Sequence, residues 1–372
     1  MQPPTADRLE THASDTDDGG AYERQLQEKL GHFSDLLEPY VATPLTVFRS
    51  PSSSYRMRCE FRIWQSGDRA AYVMFNKGSQ TRYEVETFTP AAEPIQALMP
   101  GLLTAINANE ALLRRLFRVD FLSTSQSEVL VTLVYHKPLD DAWEAAAESI
   151  HKQFEISIVG RSKGQKRVIG ADFVTEQLNV DEHTYQYRQV EGGFSQPNAR
   201  VNEHMLDWAS AQASGLSGDL LELYCGNGNF TAVLAAHFKR VLATEISKTS
   251  ISALKWTLEA NRIDNVAYAR LSAEEVTQAL DNVRPFRRLS HLDLLDYNFS
   301  TVFVDPPRAG VDSETLKLLQ RFENIFYVSC NPTTLSENLA ELCATHDVTA
   351  IAAFDQFPFT EHLESAVLLT RR

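Results

Sequence analysis

Leu221-Glu222-Leu223-Tyr224-Cys225-Gly226-Asn227-Gly228-Asn229-Phe230 is the stretch whose reading decides the fold of this 372-residue chain. An apolar run broken only by Glu222 reads as a buried strand. Gly226 and Gly228 let the backbone turn tightly against a ligand, and a helix is expected to open near Asn229. Glu245 follows about 20 residues on, at the end of the next expected strand, where an acidic side chain can hold two ribose hydroxyls. From 199 onward, expected helices and strands alternate: helix 199–213, strand 219–224, helix 229–238, strand 240–245, helix 247–261, strand 266–270, helix 273–280, strand 300–304, helix 312–321, strand 324–329, helix 332–346, and strands 348–355 and 365–370. That alternation predicts a Rossmann-like α/β domain on a mostly parallel sheet.

The loop suits two cofactor classes. A dinucleotide fingerprint wants a third glycine so that the helix can approach a pyrophosphate, and Phe230 stands there instead. S-adenosylmethionine has no pyrophosphate and does not need it. A tight turn in an ordinary sheet is the bland alternative, and Glu245 in register weighs against it.

Three later stretches complete the pattern. Asp305-Pro306-Pro307-Arg308 follows an apolar strand, so Asp305 sits at the carboxyl end where ligands bind α/β sheets. Taken singly, Pro-Pro merely ends a strand. Cys330 follows the strand Ile325–Ser329, with Asn331 as a helix cap and Pro332 at the first helical position. A helix N-terminus favours the thiolate, the nucleophilic form. Cys59, Cys225 and Cys343 read as buried inert thiols; Cys225 is the nearest rival. Near the C-terminus, Glu361, His362 and Glu364 are three candidate bases that the residues alone do not separate. A cysteine, a carboxylate and a methyl donor are what methylation at carbon 5 of a pyrimidine requires: thiolate addition to carbon 6 makes carbon 5 nucleophilic. The target base must first leave its stack.

The first half predicts an α+β module. Helical spacing runs over 21–40 and 94–117, strands are expected in 45–88, at 129–135, 156–159 and 168–174, and a helix over 141–154. Residues 1–20 read as a disordered acidic tail. The domain division is thus 1–20, 21–180 and 181–372. No apolar run approaches the roughly 18 residues of a membrane span, and the N-terminus lacks signal-peptide regions, so the cytoplasm is expected. Scattered cysteines without a Cys-x-x-Cys pair argue against a metal or iron–sulfur site. The net charge of −14 argues mildly against a nucleic-acid partner. Three basic clusters nevertheless stand out: Arg49, Arg56, Arg58 and Arg62; Arg161, Lys163, Lys166 and Arg167; and Arg284, Arg287 and Arg288.

The chain resembles the tRNA (uracil-5-)-methyltransferases. The likeness runs from about Tyr22 through Tyr55-Arg56-Met57-Arg58-Cys59-Glu60-Phe61-Arg62-Ile63-Trp64, Phe194-Ser195-Gln196-Pro197-Asn198, the glycine loop, Asp305–Arg308, Ser329–Pro332 and His362-Leu363-Glu364. The resemblance implies a class I S-adenosylmethionine-dependent methyltransferase domain behind an N-terminal α+β RNA-binding domain, acting on uridine 54 of the tRNA T-loop. It implies Cys330 as nucleophile and Glu364, over Glu361 and His362, as base. It implies Gln196, Tyr224, Asn229, Glu245 and Asp305 as S-adenosylmethionine contacts. The basic residues 49–62 and 161–167 are then candidate contacts to the T-arm. A monomer, and other RNAs carrying a T-arm-like hairpin, are further expectations. The rivals are a ribosomal RNA methyltransferase, an RNA-binding or refolding protein, and a nicotinamide-dependent oxidoreductase. The ribosomal relatives carry an iron–sulfur cysteine cluster and an extra β-barrel, for which this chain lacks the residues.

Overall fold

The computed structural model describes residues 18–372 apart from Asp68, Lys77, Gln80 and His291. Residues 1–17 of the expected tail lie outside this range, and 18–20 already belong to the helix Asp18–Leu37.

Strands of the second half form most of an eight-stranded sheet in the order Leu45–Phe48, His346–Phe354, Glu364–Arg371, Asn324–Ser329, Phe299–Val304, Asp219–Leu223, Arg240–Thr244, Val266–Ala269. The last strand is antiparallel to both of its neighbours. The other pairings are parallel, as the alternation predicts. Successive side chains point to opposite faces, and the packing follows. Leu221, Val302, Ile325, Tyr327 and Val367 face one core. Leu220, Phe303, Phe326, Val328 and Leu368 face the other. Both faces are covered, which is why these strands read as nearly unbroken apolar runs.

A seven-stranded sheet carries the first-half module: Arg82–Glu84, Arg69–Phe75, Arg58–Ser66, Leu116–Ser123, Val129–Tyr135, Ser157–Ser162, Gln165–Ile169. Helices Glu93–Asn107 and Asp141–Phe154 cover one face and bury Ile95, Leu102, Trp143 and Ile150 against Phe61, Val119 and Ile158.

Three expectations change. Helical spacing over 94–117 overran the helix, which ends at Asn107. The Asn107 side chain bonds both backbone groups of Ala70, at 2.7 and 3.1 Å. Asn109 then caps a separate turn over Glu110–Leu113. Arg115, at φ 60°, redirects the chain into the strand Leu116–Ser123. Next, the hairpin Phe173–Val180/His183–Val190 was expected only as a strand near 168–174. Its alternation is masked because Glu176 shares the buried side with Val174, Leu178 and Val180. Finally, the helix Asp18–Leu37 and strand Leu45–Phe48, allotted to the first-half module, build onto the eight-stranded sheet. Phe33 and Leu37 enter its core, and Leu45–Phe48 pairs with Ile351–Phe354.

In the first-half module, a Cβ added at Gly160 would lie 2.4 Å from the Trp143 ring and 2.8 Å from Leu139. Trp143 is fully buried and has nowhere to retreat. Gly160→Ala is expected to cost about 1–3 kcal/mol through overpacking, read as a lower midpoint in denaturant unfolding. An unchanged midpoint would show that the module repacks freely there.

Candidate active site

The parallel strands deliver their carboxyl ends to one edge of the large sheet. Strand order reverses between Asp219–Leu223 and Phe299–Val304, since the chain moves outward on opposite sides of that pair. A crevice at such a switch point is where α/β sheets bind ligands. Tyr224, Glu245, Asp305 and Cys330 each follow a strand that ends at this edge. The last strand runs the other way, so it begins where its neighbours finish. Glu364 pairs with Phe354, and Ser365 pairs with Ser329. Two residues 34 apart in sequence, Cys330 and Glu364, thereby meet at one edge.

The glycine loop is held by its own backbone. Tyr224, Gly226 and Gly228 all have positive φ, at 60°, 57° and 90°. For tyrosine this is an uncommon conformation, and such strain gathers at ligand sites. A side chain at Gly228 would meet Leu254 at 2.5 Å, whereas one at Gly226 would meet nothing within 4 Å. Glu245 reaches back across the loop. Its carboxylate accepts from the Gly226 N–H at 3.2 Å and the Ser247 N–H at 2.7 Å. Asn229 is placed differently from a free ligand contact. Its amide is locked in a reciprocal pair with Asn202, 2.8 Å in each direction.

Gln196 is buried, and its Oε1 has no hydrogen-bond partner. The neighbouring backbone is fixed: the Met57 N–H donates to Pro197 O at 2.7 Å, and Asn198 caps the helix Ala199–Ala213. Among the described residues neither the Asp305 nor the Glu364 carboxylate has a hydrogen-bond partner, although Glu364 is buried. Such unpaired polar groups are rare away from functional sites. They suit a cationic or hydrogen-bond-donating ligand, and S-adenosylmethionine carries both characters.

Electrostatics couple these groups. Burial, reinforced by Asp305, pushes the Glu364 carboxyl up to about 8. Burial alone pushes Asp305 up to about 7. Glu222, buried in the sheet beneath, is pushed up to about 8 by burial and Asp305. The sequence reading passed over Glu222 as a break in an apolar strand; a carboxyl at such a position was itself the signal. Cys330 is under opposing influences. Its cap and proline are in place, with Asn331 accepting from the Thr333 N–H at 3.2 Å. Yet burial, then Glu364 and Asp305, push the thiol up to about 12, with Arg308 opposing. Desolvation and two carboxyls thus work against the thiolate that the helix terminus favours.

The other candidates differ in setting. Glu361 is exposed, and the His362 ring packs edge-on against Phe357 at 5.9 Å. Cys225 is buried and its thiol is pushed well up by burial. Cys59 is buried as well, and Cys343 is half-buried. Most of the basic residues singled out are already engaged. Arg49 pairs with Glu23 at 2.6 Å, Arg161 with Glu191, Lys166 with Asp172 at 2.7 Å, Arg167 with Glu144, and Arg288 with Glu275 at 3.4 Å. Arg56 donates to the Arg58 carbonyl at 3.0 Å. Arg62 differs: its guanidinium lies over the Phe117 ring at 4.1 Å, and that ring stacks on His136 at 4.2 Å.

A family model described as tRNA (Uracil-5-)-methyltransferase matches residues 21–372. A tRNA/tmRNA (uracil-C(5))-methyltransferase of Cellvibrio japonicus is 51% identical over 352 residues, covering 95% of this chain and 96% of that one. A protein of the same description from Neisseria meningitidis is 52% identical over 357 residues, covering 94% and 97%. Among solved structures, the Pyrococcus abyssi tRNA (uracil-54, C5)-methyltransferase in complex with S-adenosyl-L-homocysteine superposes with a TM-score of 0.72 at 20% identity, over 94% of this chain and 83% of that one. That likeness shows the class I methyltransferase fold.

The raised carboxyls set a pH dependence. The folded chain keeps the Glu364 proton up to about 8, whereas an unfolded glutamate releases it near 4.3. The folded state therefore binds more protons between these values, and its stability falls as pH rises through that window. Glu364→Gln removes one such group. Its unfolding midpoint is expected to decline less between pH 5 and 8.5, leaving it more stable than the parent at pH 8.5 by on the order of a few kcal/mol. Parallel curves would mean Glu364 is ionised in the folded protein.

Proposed function

The chain belongs to the tRNA (uracil-5-)-methyltransferase family, and from that membership we propose that it methylates carbon 5 of uridine 54 in the tRNA T-loop, giving 5-methyluridine. The observation that carries the reading is the placing of Cys330 and an unpaired, buried Glu364 at one sheet edge, beside the glycine loop. S-adenosylmethionine, when bound, supplies the methyl group. Gln196 and Asp305 offer it unpartnered acceptors, Glu245 and Tyr224 border its loop, and Asn229 acts through the helix start that its amide pair with Asn202 fixes.

The chain's own groups carry the covalent steps. The Cys330 sulfur adds to carbon 6 of the uracil, so that carbon 5 becomes the nucleophile. The thiol pushed to about 12 and the Glu364 carboxyl held up to about 8 must both release their protons to solvent as substrate and S-adenosylmethionine fill the site. After methylation a carboxylate at Glu364 takes the carbon 5 proton, and the C6–S bond breaks with the sulfur leaving as thiolate. A base titrating near neutrality suits this exchange.

The RNA is assigned chiefly to the seven-stranded module, with 18–48 and most of the hairpin Phe173–Val180/His183–Val190 siding with the catalytic sheet, whose second core takes Leu178, Val180 and Tyr187. Arg62, Phe117 and His136 form its favoured contact, because an exposed cation and an exposed imidazole on a half-buried ring can take unstacked bases. The paired arginines and lysines of the 161–167 cluster are weaker candidates. The enzyme is taken to act as a monomer in the cytoplasm. No helix among the described residues is long and apolar enough to cross a membrane. Other RNAs with a T-arm-like hairpin remain within the same reading.

The test is an unmodified T-arm hairpin incubated with S-adenosylmethionine, then digested and analysed by mass spectrometry. The parent is expected to yield 5-methyluridine and Cys330→Ala none. Product from Cys330→Ala would remove the nucleophile, and product on ribosomal RNA alone would move the substrate. A second measurement addresses the surface: Arg62→Ala is expected to weaken hairpin binding and to flatten its salt dependence. Unchanged affinity and slope would place the RNA elsewhere.

A further inference from the structure

The segment from Asp355 to Leu363 joins the two strands that meet at Phe354 and Glu364, so its conformation sets where Glu364 begins. It is held from outside the sheet by the first helix. Lys29 is buried and donates to Asp355 Oδ1 at 2.7 Å and to the Phe357 carbonyl at 2.8 Å. Asp355 is fully buried, and its second oxygen has no partner. One turn earlier on the same helix face, Gln25 grips the segment in both directions: it accepts from the Phe359 N–H at 2.9 Å and donates to the Thr360 carbonyl at 3.0 Å. A turn further back, Tyr22 sets its ring against Phe359 at 6.0 Å. Phe359 itself sits at φ 60°, a conformation that must be imposed on phenylalanine by its surroundings.

The far end of the same helix is fixed to the helix that follows Cys330. Ser336 donates to the Leu36 carbonyl at 2.9 Å, and Phe33 and Leu37 lie in the core that also holds Leu335 and Leu339. One rigid element therefore touches both the Cys330 helix and the segment leading to Glu364. A buried ion pair adds little net stability over an apolar pair of similar volume, so stability alone does not account for this one. We propose that Lys29 and Gln25 are positioning residues, which hold the 355–363 segment so that the Glu364 carboxylate reaches the carbon 5 proton of the Cys330-bound pyrimidine. The inference rests on the covalent route of the preceding subsection. The step at stake is the last one: the C5–H electrons form the C5–C6 double bond, the C6–S bond breaks, Glu364 takes the proton and Cys330 leaves as thiolate. A base displaced by an ångström slows this step and leaves the earlier addition untouched.

The experiment compares the parent with Lys29→Met/Asp355→Asn, which removes both charges of the pair, and with Gln25→Ala, which leaves the pair intact. Turnover, KM for the T-arm hairpin, and the fraction of protein carrying covalently bound RNA after denaturation are measured on folded protein with S-adenosylmethionine. At least one variant is expected to turn over about tenfold more slowly, with KM unchanged and a larger bound fraction. A purely structural role would lower the folded fraction and leave turnover per folded molecule and the bound fraction at parent values; that result overturns the inference. Should the double variant fail to fold, Gln25→Ala decides by the same criteria. A parent that makes no 5-methyluridine would instead overturn the proposed function.

Discussion

The direction of the last strand governs the site. In a sheet whose strands all ran parallel, Glu364 would start at the edge opposite Cys330, a full strand length away. Because Glu364–Arg371 runs against both Asn324–Ser329 and His346–Phe354, its first residue arrives where its neighbours' last residues are. The reversal needs no long crossover helix, only the segment 355–363 turning back on itself. The cofactor loop sits one strand pair away at the switch point. Cys330, Glu364 and the glycine loop thus share an edge as a consequence of topology.

That edge concentrates carboxyls at the expense of stability. Glu222, Asp305 and Glu364 all stand above their ordinary range, chiefly through burial, and Glu364 and Asp305 in turn push the Cys330 thiol up. A fold selected only for stability would pair or replace them.

Much of this was legible in the sequence, for identifiable reasons. From 199 onward the pattern is apolar strand, turn, amphipathic helix, and nearly every element falls within a few residues of its expected place. The helix over 199–213 and the strand over 324–329 match to the residue. Cap chemistry at Asn331-Pro332 was readable because it is local. Pairing partners were not. Residues 18–48 join strands 300 residues away, and local periodicity carries no information about that. Glu176 hid a hairpin because it is a buried polar residue whose Oε1 accepts from Ser125, which lies far off in sequence. At Cys330 the helix terminus is visible in sequence, while the burial and the two carboxyls that oppose it are brought in by the fold. Surface pairing was hidden in the same way: arginines that stand free in sequence hold Glu23, Glu144 or Glu191.

The central claim is that strand reversal puts Cys330 and Glu364 into one reaction in two different roles. Glu364→Gln keeps the shape of the base and removes its ability to take a proton. Peptide mapping of that variant, after incubation with S-adenosylmethionine and a T-arm hairpin and nuclease digestion, tests the claim directly. The account predicts a methylated uridine attached to Cys330 that accumulates in Glu364→Gln and clears in the parent. Free 5-methyluridine released at the parent rate, or uridine attached to another cysteine, would contradict it.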